Sequence, residues 1–238
     1  MEAPLREIFT SIQGEGPYVG YRHLFVRFGG CNLHCRYCDT PKDVPSAYRV
    51  ENPPGSRRFT MHANPATVDD ILSRLASLPR EIYHAVSLTG GEPLLYPGFL
   101  EKLVPALRAM GFRSYLETNG TLTEALTSLV ELIDIIAMDF KLPSATGEAW
   151  RGEIHRGFLR AACRTRVFVK MVVCRATHRE EFTEALRVVA SISRDVPLVI
   201  QPVTPYDGTD VLGLQEMAAA YLNDVRIIPQ IHPVMDIL

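Results

Sequence analysis

The sequence predicts an α/β fold of parallel βα units, either an open or partial βα barrel or a doubly wound sheet. Seven short apolar, β-branched runs recur along the 238 residues, and between them lie segments whose apolar residues return every three or four positions. Parallel neighbours need a crossover connection, and helices supply it. A third observation agrees: chemically capable residues stand where the expected strands end, at Cys31, Gly90, Asn119 and Lys141. That end of a parallel sheet is where sites form in such folds.

In chain order, strands are expected at His23–Phe28 (HLFVRF), Ala85–Thr89 (AVSLT), Ser114–Thr118 (SYLET), Ile135–Phe140 (IIAMDF), Arg166–Val173 (RVFVKMVV), Leu198–Val203 (LVIQPV) and Val225–Ile228 (VRII). Helical spacing marks Leu72, Leu75 and Leu78, then Phe99, Leu103, Leu107 and Met110, where Pro105 is expected to kink the helix. It marks Leu126, Leu129, Val130 and Ile133 next, then Phe182, Leu186, Val189 and Ile192, then Leu214, Met217, Ala218 and Tyr221. Pro41–Ala66 shows neither period and is rich in proline and polar residues, so it reads as a long surface insertion. Without repeats, low-complexity tracts or a linker, residues 1–238 are expected to form one domain.

Composition excludes several classes. A charged fraction of 22% beside 47% hydrophobic residues is not that of a disordered chain. A formal net charge of −2 gives no field to hold a polyanion, so no nucleic-acid partner is expected. No run approaches 18 apolar residues, so no membrane span is expected. The opening MEAPLREIFTSIQGEG carries acids and no long apolar run, unlike a secretory signal, and a cytoplasmic protein is expected.

Cysteine usage points the same way. Three of five cysteines, Cys31, Cys35 and Cys38, fall within eight residues, whereas a disulfide framework would spread an even number along the chain. Cys163 and Cys174 follow no ligand spacing and read as buried or half-buried thiols. Thiolates are soft donors suited to zinc or to iron–sulfur clusters. A closed zinc site wants four ligands and only three are local; His34 adjoins a ligand and is expected to face solvent. Three thiolates on a four-iron cluster leave one iron for a non-protein ligand.

The spacing C-x3-C-x-Tyr37-C just beyond the first strand resembles the radical S-adenosylmethionine (SAM) superfamily, whose members cleave SAM reductively to a 5′-deoxyadenosyl radical. Thr89-Gly90-Gly91-Glu92-Pro93 and Leu116-Glu117-Thr118-Asn119-Gly120-Thr121 resemble further superfamily signatures. Glu7 to Gly16 (EIFTSIQGEG), with Gly20, Phe25-Val26-Arg27 and Cys38-Asp39-Thr40, resembles the 7-carboxy-7-deazaguanine synthases; Lys141, Gln201 and Pro229-Gln230-Ile231-His232 continue the likeness. The resemblance implies a partial (βα)6 barrel and the cofactors 4Fe-4S cluster, SAM and Mg2+. It implies contraction of a 6-carboxytetrahydropterin to 7-carboxy-7-deazaguanine with loss of ammonia, on the route to queuosine. An external electron donor of flavodoxin or ferredoxin type and a homodimer are implied too.

By resemblance, Cys31, Cys35 and Cys38 would hold the cluster and Thr40 the magnesium. Tyr37, Cys38, Asp39, Gly91 and Lys141 would meet SAM, with Asp139 and Phe140 matching by position only, since many relatives carry Ser-Pro-Lys there. Gln201 would touch SAM or substrate. Residue chemistry suits a pterin acid: Arg27 offers a fork for the carboxylate, while Gln13 and Glu15, with main-chain groups of Ile12 and Gly14, suit the heterocycle edge. Thr89 would bond the same ligand. No side chain is named as a general acid or base. Pro233–Leu238 (PVMDIL) extends past the point where some relatives end, so a terminal contact to substrate is not carried over. A glycyl-radical-enzyme activase shares the cysteine loop and Asp-x-Lys without needing Gln13-Gly14-Glu15. A zinc-stabilised binding module would leave the GGEP turn unexplained.

Overall fold

A computed structural model describes residues 1–38 and 40–237. Its strands are β1 (Glu2–Ala3), β2 (Leu5–Ile12), β3 (Arg22–Phe28), β4 (Ala47–Glu51), β5 (Phe59–Ala63), β6 (Ala66–Thr67), β7 (Ala85–Gly90), β8 (Ser114–Thr118), β9 (Ile135–Asp139), β10 (Arg166–Val173), β11 (Leu198–Pro202) and β12 (Val225–Ile227). Its α-helices are α1 (Val68–Leu75), α2 (Pro97–Ala109), α3 (Thr123–Thr127), α4 (Pro143–Thr146), α5 (Gly152–Ala162), α6 (Arg179–Ala190) and α7 (Val211–Ala219). Ten strands form one sheet in the order β12-β11-β10-β9-β8-β7-β3-β2-β4-β5. From β3 to β12 every neighbour is parallel, the pairing expected of a partial βα barrel.

Alternation along these strands makes two different faces. Leu24, Val26, Phe28, Leu88, Leu116, Ile136, Met138, Val169, Met171 and Ile200 point outward into the main core with the helices. Ala85, Tyr115, Ile135, Ala137, Phe168 and Val199 point inward as a smaller apolar plug. One step further along that inner face, toward the strand ends, come Arg27, Thr89, Glu117, Asp139, Lys170 and Gln201, one polar residue from each of six strands. The apolar plug therefore closes the barrel below a polar ring.

All seven expected strands form, within one residue at each end. Three segments differ from expectation. Leu5–Ile12, where the periodicity predicts no strand, pairs antiparallel with β3; it is buried on both faces, which hides its alternation. The 41–66 insertion is not irregular: β4 and β5 pair as an antiparallel hairpin that extends the sheet past β2. Its connection is organised by the Glu51 carboxylate, which accepts from the backbone N–H groups of Thr10, Gly55 and Arg57 at 2.8–2.9 Å. A carboxylate that gathers two local donors and one 41 residues away leaves no periodic trace in sequence. Helix α5 was also unanticipated, although His155, Phe158, Leu159 and Ala162 give it a buried face at helical spacing. Helix α2 continues through Pro105, which is exposed there. Cys163 is exposed rather than buried, and Cys174 is half-buried. Among the described residues no helix is long and apolar enough to cross a membrane.

Candidate active site

The strand ends open into a cavity of about 410 Å³. Ile12, Gln13, Gly14 and Glu15 enter from the end of β2, Cys31 to Cys38 from the loop after β3, and Gly90 and Gly91 from the end of β7. Two glycines are required by geometry there. Gly90 takes φ +114, and a Cβ on it would lie 2.5 Å from the Phe28 backbone. A Cβ on Gly91 would stand 1.7 Å from the Gly30 carbonyl oxygen, so only glycine lets the turn lie against the cysteine loop.

Glu92, in the same turn, is fully buried. It accepts from the Leu94 N–H (3.1 Å), the Thr118 hydroxyl (2.9 Å) and the Asn119 N–H (2.8 Å), tying the exit of β7 to that of β8. Burial lifts its carboxyl to about 7 against those bonds. The cysteine loop is fastened from outside by the Arg36 N–H to the Thr146 carbonyl (2.8 Å) and the His34 N–H to the Glu148 carboxylate (2.6 Å). His34 itself faces solvent.

Cys31, Cys35 and Cys38 all line the cavity. Burial raises the thiol pKa of Cys31 and takes that of Cys35 to about 11, so a metal bound there would have to displace protons. Among the described residues no three His, Cys, Asp or Glu side chains converge on a single ion. A four-iron cubane makes no such demand, since its thiolates bind different irons. The donor set thus fits a cluster with one iron left for an outside ligand. Two buried acceptors that line the cavity have no hydrogen-bond partner, Asp139 Oδ1 and Gln201 Oε1, as a polar ligand with hydroxyl or amino donors would require.

A chain of charges runs across the cavity floor. Lys141 Nζ donates to Tyr37 Oη at 2.9 Å and to Asp139 Oδ2 at 2.8 Å. Asp139 sits in register with Lys170 on β10, whose Nζ lies 3.4 Å from Oδ2. Lys170 also pairs with Glu15, whose other oxygen accepts from Gln230 Nε2 at 2.6 Å. Burial works to raise the Glu15 pKa, but Lys170 and Gln230 hold it down to about 2. Burial likewise opposes the charged forms of Asp139 and Lys141; their mutual attraction wins, lowering the carboxyl and raising the amine.

On the other side, Glu7 of β2 lies between its register partners Arg27 and Arg49 and bridges them. Arg27 Nε donates to Glu7 at 2.7 Å and its terminal nitrogen to the Thr40 hydroxyl at 3.2 Å. Its guanidinium sits 5.4 Å from the Phe9 ring centroid, and that ring stacks on Phe25 at 4.9 Å.

Not every expected residue meets the cavity. Phe140 does not: alternation turns its ring outward, against His155 at 4.3 Å and Trp150 at 5.8 Å. Asp39 lies outside the described residues. Gln13 lines the cavity, yet both ends of its amide are engaged by protein, Nε2 with Glu117 at 2.9 Å and Oε1 with the Glu15 N–H at 3.0 Å. Thr89 likewise donates to Glu117 at 2.6 Å. The sequence motifs that contain Glu117 and Gln230 assign neither a site role, and Lys170 falls in no motif. A charge within an apolar strand run (SYLET, RVFVKMVV) was the available signal for Glu117 and Lys170. Gln230 and His232 arrive on the C-terminal segment, where the Ile231 N–H bonds the Gly14 carbonyl at 2.9 Å and lays the segment over the cavity.

Comparison with known proteins agrees with this geometry. Residues 25–201 match the radical SAM superfamily. The chain is 42% identical to the 7-carboxy-7-deazaguanine synthase of Geobacter sulfurreducens, over 98% of this chain and 97% of that one. It is 35% identical to the synthase of Methanopyrus kandleri, over 98% and 93%. The fold matches QueE from Escherichia coli with a TM-score of 0.61 at 21% identity, over 97% and 94% of the two chains. It also matches Streptococcus suis SuiB bound to its precursor peptide SuiA, with a TM-score of 0.60 at 15% identity over 83% of this chain and 46% of that one. With its thiol trio, glycine turn and polar ring around one cavity, the chain belongs to the 7-carboxy-7-deazaguanine synthase family of the radical SAM superfamily.

Proposed function

We propose that this protein is a radical SAM lyase that contracts 6-carboxy-5,6,7,8-tetrahydropterin to 7-carboxy-7-deazaguanine with release of ammonia. The observation that carries the reading is the joint lining of one cavity by the three loop thiols, the Arg27–Thr40 pair and the Glu15–Lys170–Asp139–Lys141 chain. The cluster and SAM together would supply the hydrogen-abstracting radical chemistry, and Mg2+ would assist the ring contraction.

The chain's own residues bind, orient and exclude water. Cys31, Cys35 and Cys38 would hold the cluster. Tyr37, Gly91, Lys141, Asp139 and Gln201 line the SAM side, where the unpartnered Asp139 and Gln201 oxygens receive ligand donors. Arg27, steered by Glu7, presents its guanidinium to the substrate carboxylate. The Thr40 hydroxyl would hold the magnesium, with substrate oxygens and waters needed for the rest of its ligands. Gln13 and Thr89 are bound to Glu117, so they orient that carboxylate, and Glu117 accepts from the ring N–H groups of the pterin. Its pKa is raised by burial and by the charge of Glu15. Ile12, Gly14 and Glu15 wall the same edge, and the segment carrying Gln230 and His232 keeps water from it.

We further take residues 1–238 as one radical SAM domain, working as a homodimer in the cytoplasm with a flavodoxin- or ferredoxin-like electron donor. The activase reading is not favoured, because the curated relatives are synthases that match along nearly the whole chain. The test is anaerobic reconstitution followed by incubation with SAM, reductant and 6-carboxytetrahydropterin. The expected product is identified by mass as 7-carboxy-7-deazaguanine. A full cluster that cleaves SAM yet leaves the pterin unchanged would overturn the reading.

A further inference from the structure

Three side chains beside the cysteine loop close a hydrogen-bond ring that can run in one sense only. Asn119 Oδ1 accepts from the Thr121 backbone N–H at 3.1 Å and from the Thr121 hydroxyl at 2.5 Å. The hydroxyl accepts from Asn32 Nδ2 at 2.8 Å, and Asn32 Oδ1 accepts from Asn119 Nδ2 at 2.8 Å. A backbone N–H can only donate, so the bond from Thr121 fixes which end of the Asn119 amide is oxygen and with it the direction of the whole ring.

The amide nitrogen of Asn119 carries two protons. One goes to Asn32, and Nδ2 also lies 3.9 Å from Cys31 Sγ, at the long end for a sulfur acceptor. The Leu33 backbone N–H reaches the same sulfur at 3.5 Å. Cys38 differs, its thiol donating to the Thr40 carbonyl at 3.5 Å. The main chain of Asn119 is pinned independently of its side chain, the N–H by Glu92 at 2.8 Å and the carbonyl by His155 at 3.2 Å.

We propose that Asn119 is a positioning residue for the cluster: held in one sense by Thr121 and Asn32, its amide donates to the Cys31 sulfur and raises the cluster's reduction potential. One-electron reduction by an external donor adds negative charge that the ligating sulfurs share, and an N–H aimed at a sulfur stabilises the reduced form more than the oxidised one. This inference rests on the cluster reading above and adds a named residue that sets how readily the cluster accepts its electron.

The test is a mediated redox titration of reconstituted wild type, Asn119→Ala and Thr121→Val, following the electron paramagnetic resonance signal of the reduced cluster. At matched iron and sulfide content the midpoint is expected to move to more negative potential in Asn119→Ala, and by less in Thr121→Val, which keeps the amide and loses only its hydroxyl anchor. Unshifted midpoints in both variants, with clusters intact, overturn the inference while leaving the cluster reading in place. If Asn119→Ala fails to take up iron, the Thr121→Val midpoint decides by the same criterion. Wild-type protein that takes up neither iron nor sulfide overturns the cluster reading itself, and this inference with it.

Discussion

Lys170 is the residue on which the two halves of the cavity meet. Its amine pairs with Glu15 at the β2 end and with Asp139 on the neighbouring strand. Removing one partner of a buried charge group leaves the others uncompensated, so Lys170→Met is expected to cost about 3 kcal/mol, read in denaturant melts. The sign of its pH dependence follows from Glu15. That carboxyl titrates near 2 in the fold against an ordinary 4.5. Its contribution is therefore complete above pH 4.5 and lost as pH falls toward 2. Lys170→Met should flatten this acid limb, and an unchanged limb would remove the pair from the account. Arg27 makes the second prediction at this scale. With charge-assisted bonds worth about 1.5–3 kcal/mol, Arg27→Ala should raise KM for the pterin roughly 10- to 100-fold and leave KM for SAM little changed. Equal loss of both would deny Arg27 the carboxylate. Arg27 was legible in sequence as a cation leaving a strand; Lys170 was passed over because a lysine inside RVFVKMVV reads as strand and not as site.

Among the elements, the turn after β7 and the loop after β3 are built against each other, and Gly91 is the point of contact. Gly91→Ala must push the Gly30 carbonyl away, so loss of both cluster retention and SAM affinity is expected, measured as iron content and equilibrium binding. Gly20→Ala is the comparison: Gly20 takes φ +90 with nothing within 4 Å of a Cβ, so only backbone strain of about 1 kcal/mol is expected, with iron content kept. If both variants behave alike, close approach is not what Gly91 provides. The parallel strands were readable because each is a short apolar run between helical periods. The β4–β5 hairpin was not. Its strands have five residues each, β5 is mostly exposed, and the connection is held by the carboxylate of Glu51, the last residue of β4. Such support depends on a neighbour 41 residues away at Thr10, and no local pattern announces it.

For the whole molecule, two buried histidines add to the acid sensitivity of the charge chain, and one of them, His155, feels Asp139 and Lys141 of that chain. His23 is buried with Nδ1 at 2.7 Å from Ser87 Oγ and Nε2 at 3.1 Å from His84 Nδ1. Burial lowers it to about 3, and burial lowers His155, beneath Asn119, to about 4. A histidine kept neutral in the fold contributes fully above its ordinary value of 6.5 and loses that contribution as pH falls toward its folded value. Stability is therefore expected to decline from pH 6.5 downward by up to about 1.4 kcal/mol per pH unit for each of the two. Melting curves across pH 7 to 4 check this, with His23→Gln expected to reduce the slope; equal slopes in mutant and wild type would assign the decline elsewhere. The parallel βα order, the thiol trio and the glycine turn are legible from residue order alone, because strand period, helix period and short-range spacing are local properties. Residue order also places Arg27, Thr89, Asp139 and Gln201 at strand ends. Which side chains remain open to a ligand is fixed by long-range packing. Gln13 and Thr89 are taken up by Glu117, Phe140 turns into the core, and Glu15, Lys170 and Asp139 become one network, because partners 28 to 155 residues apart are chosen by register and burial.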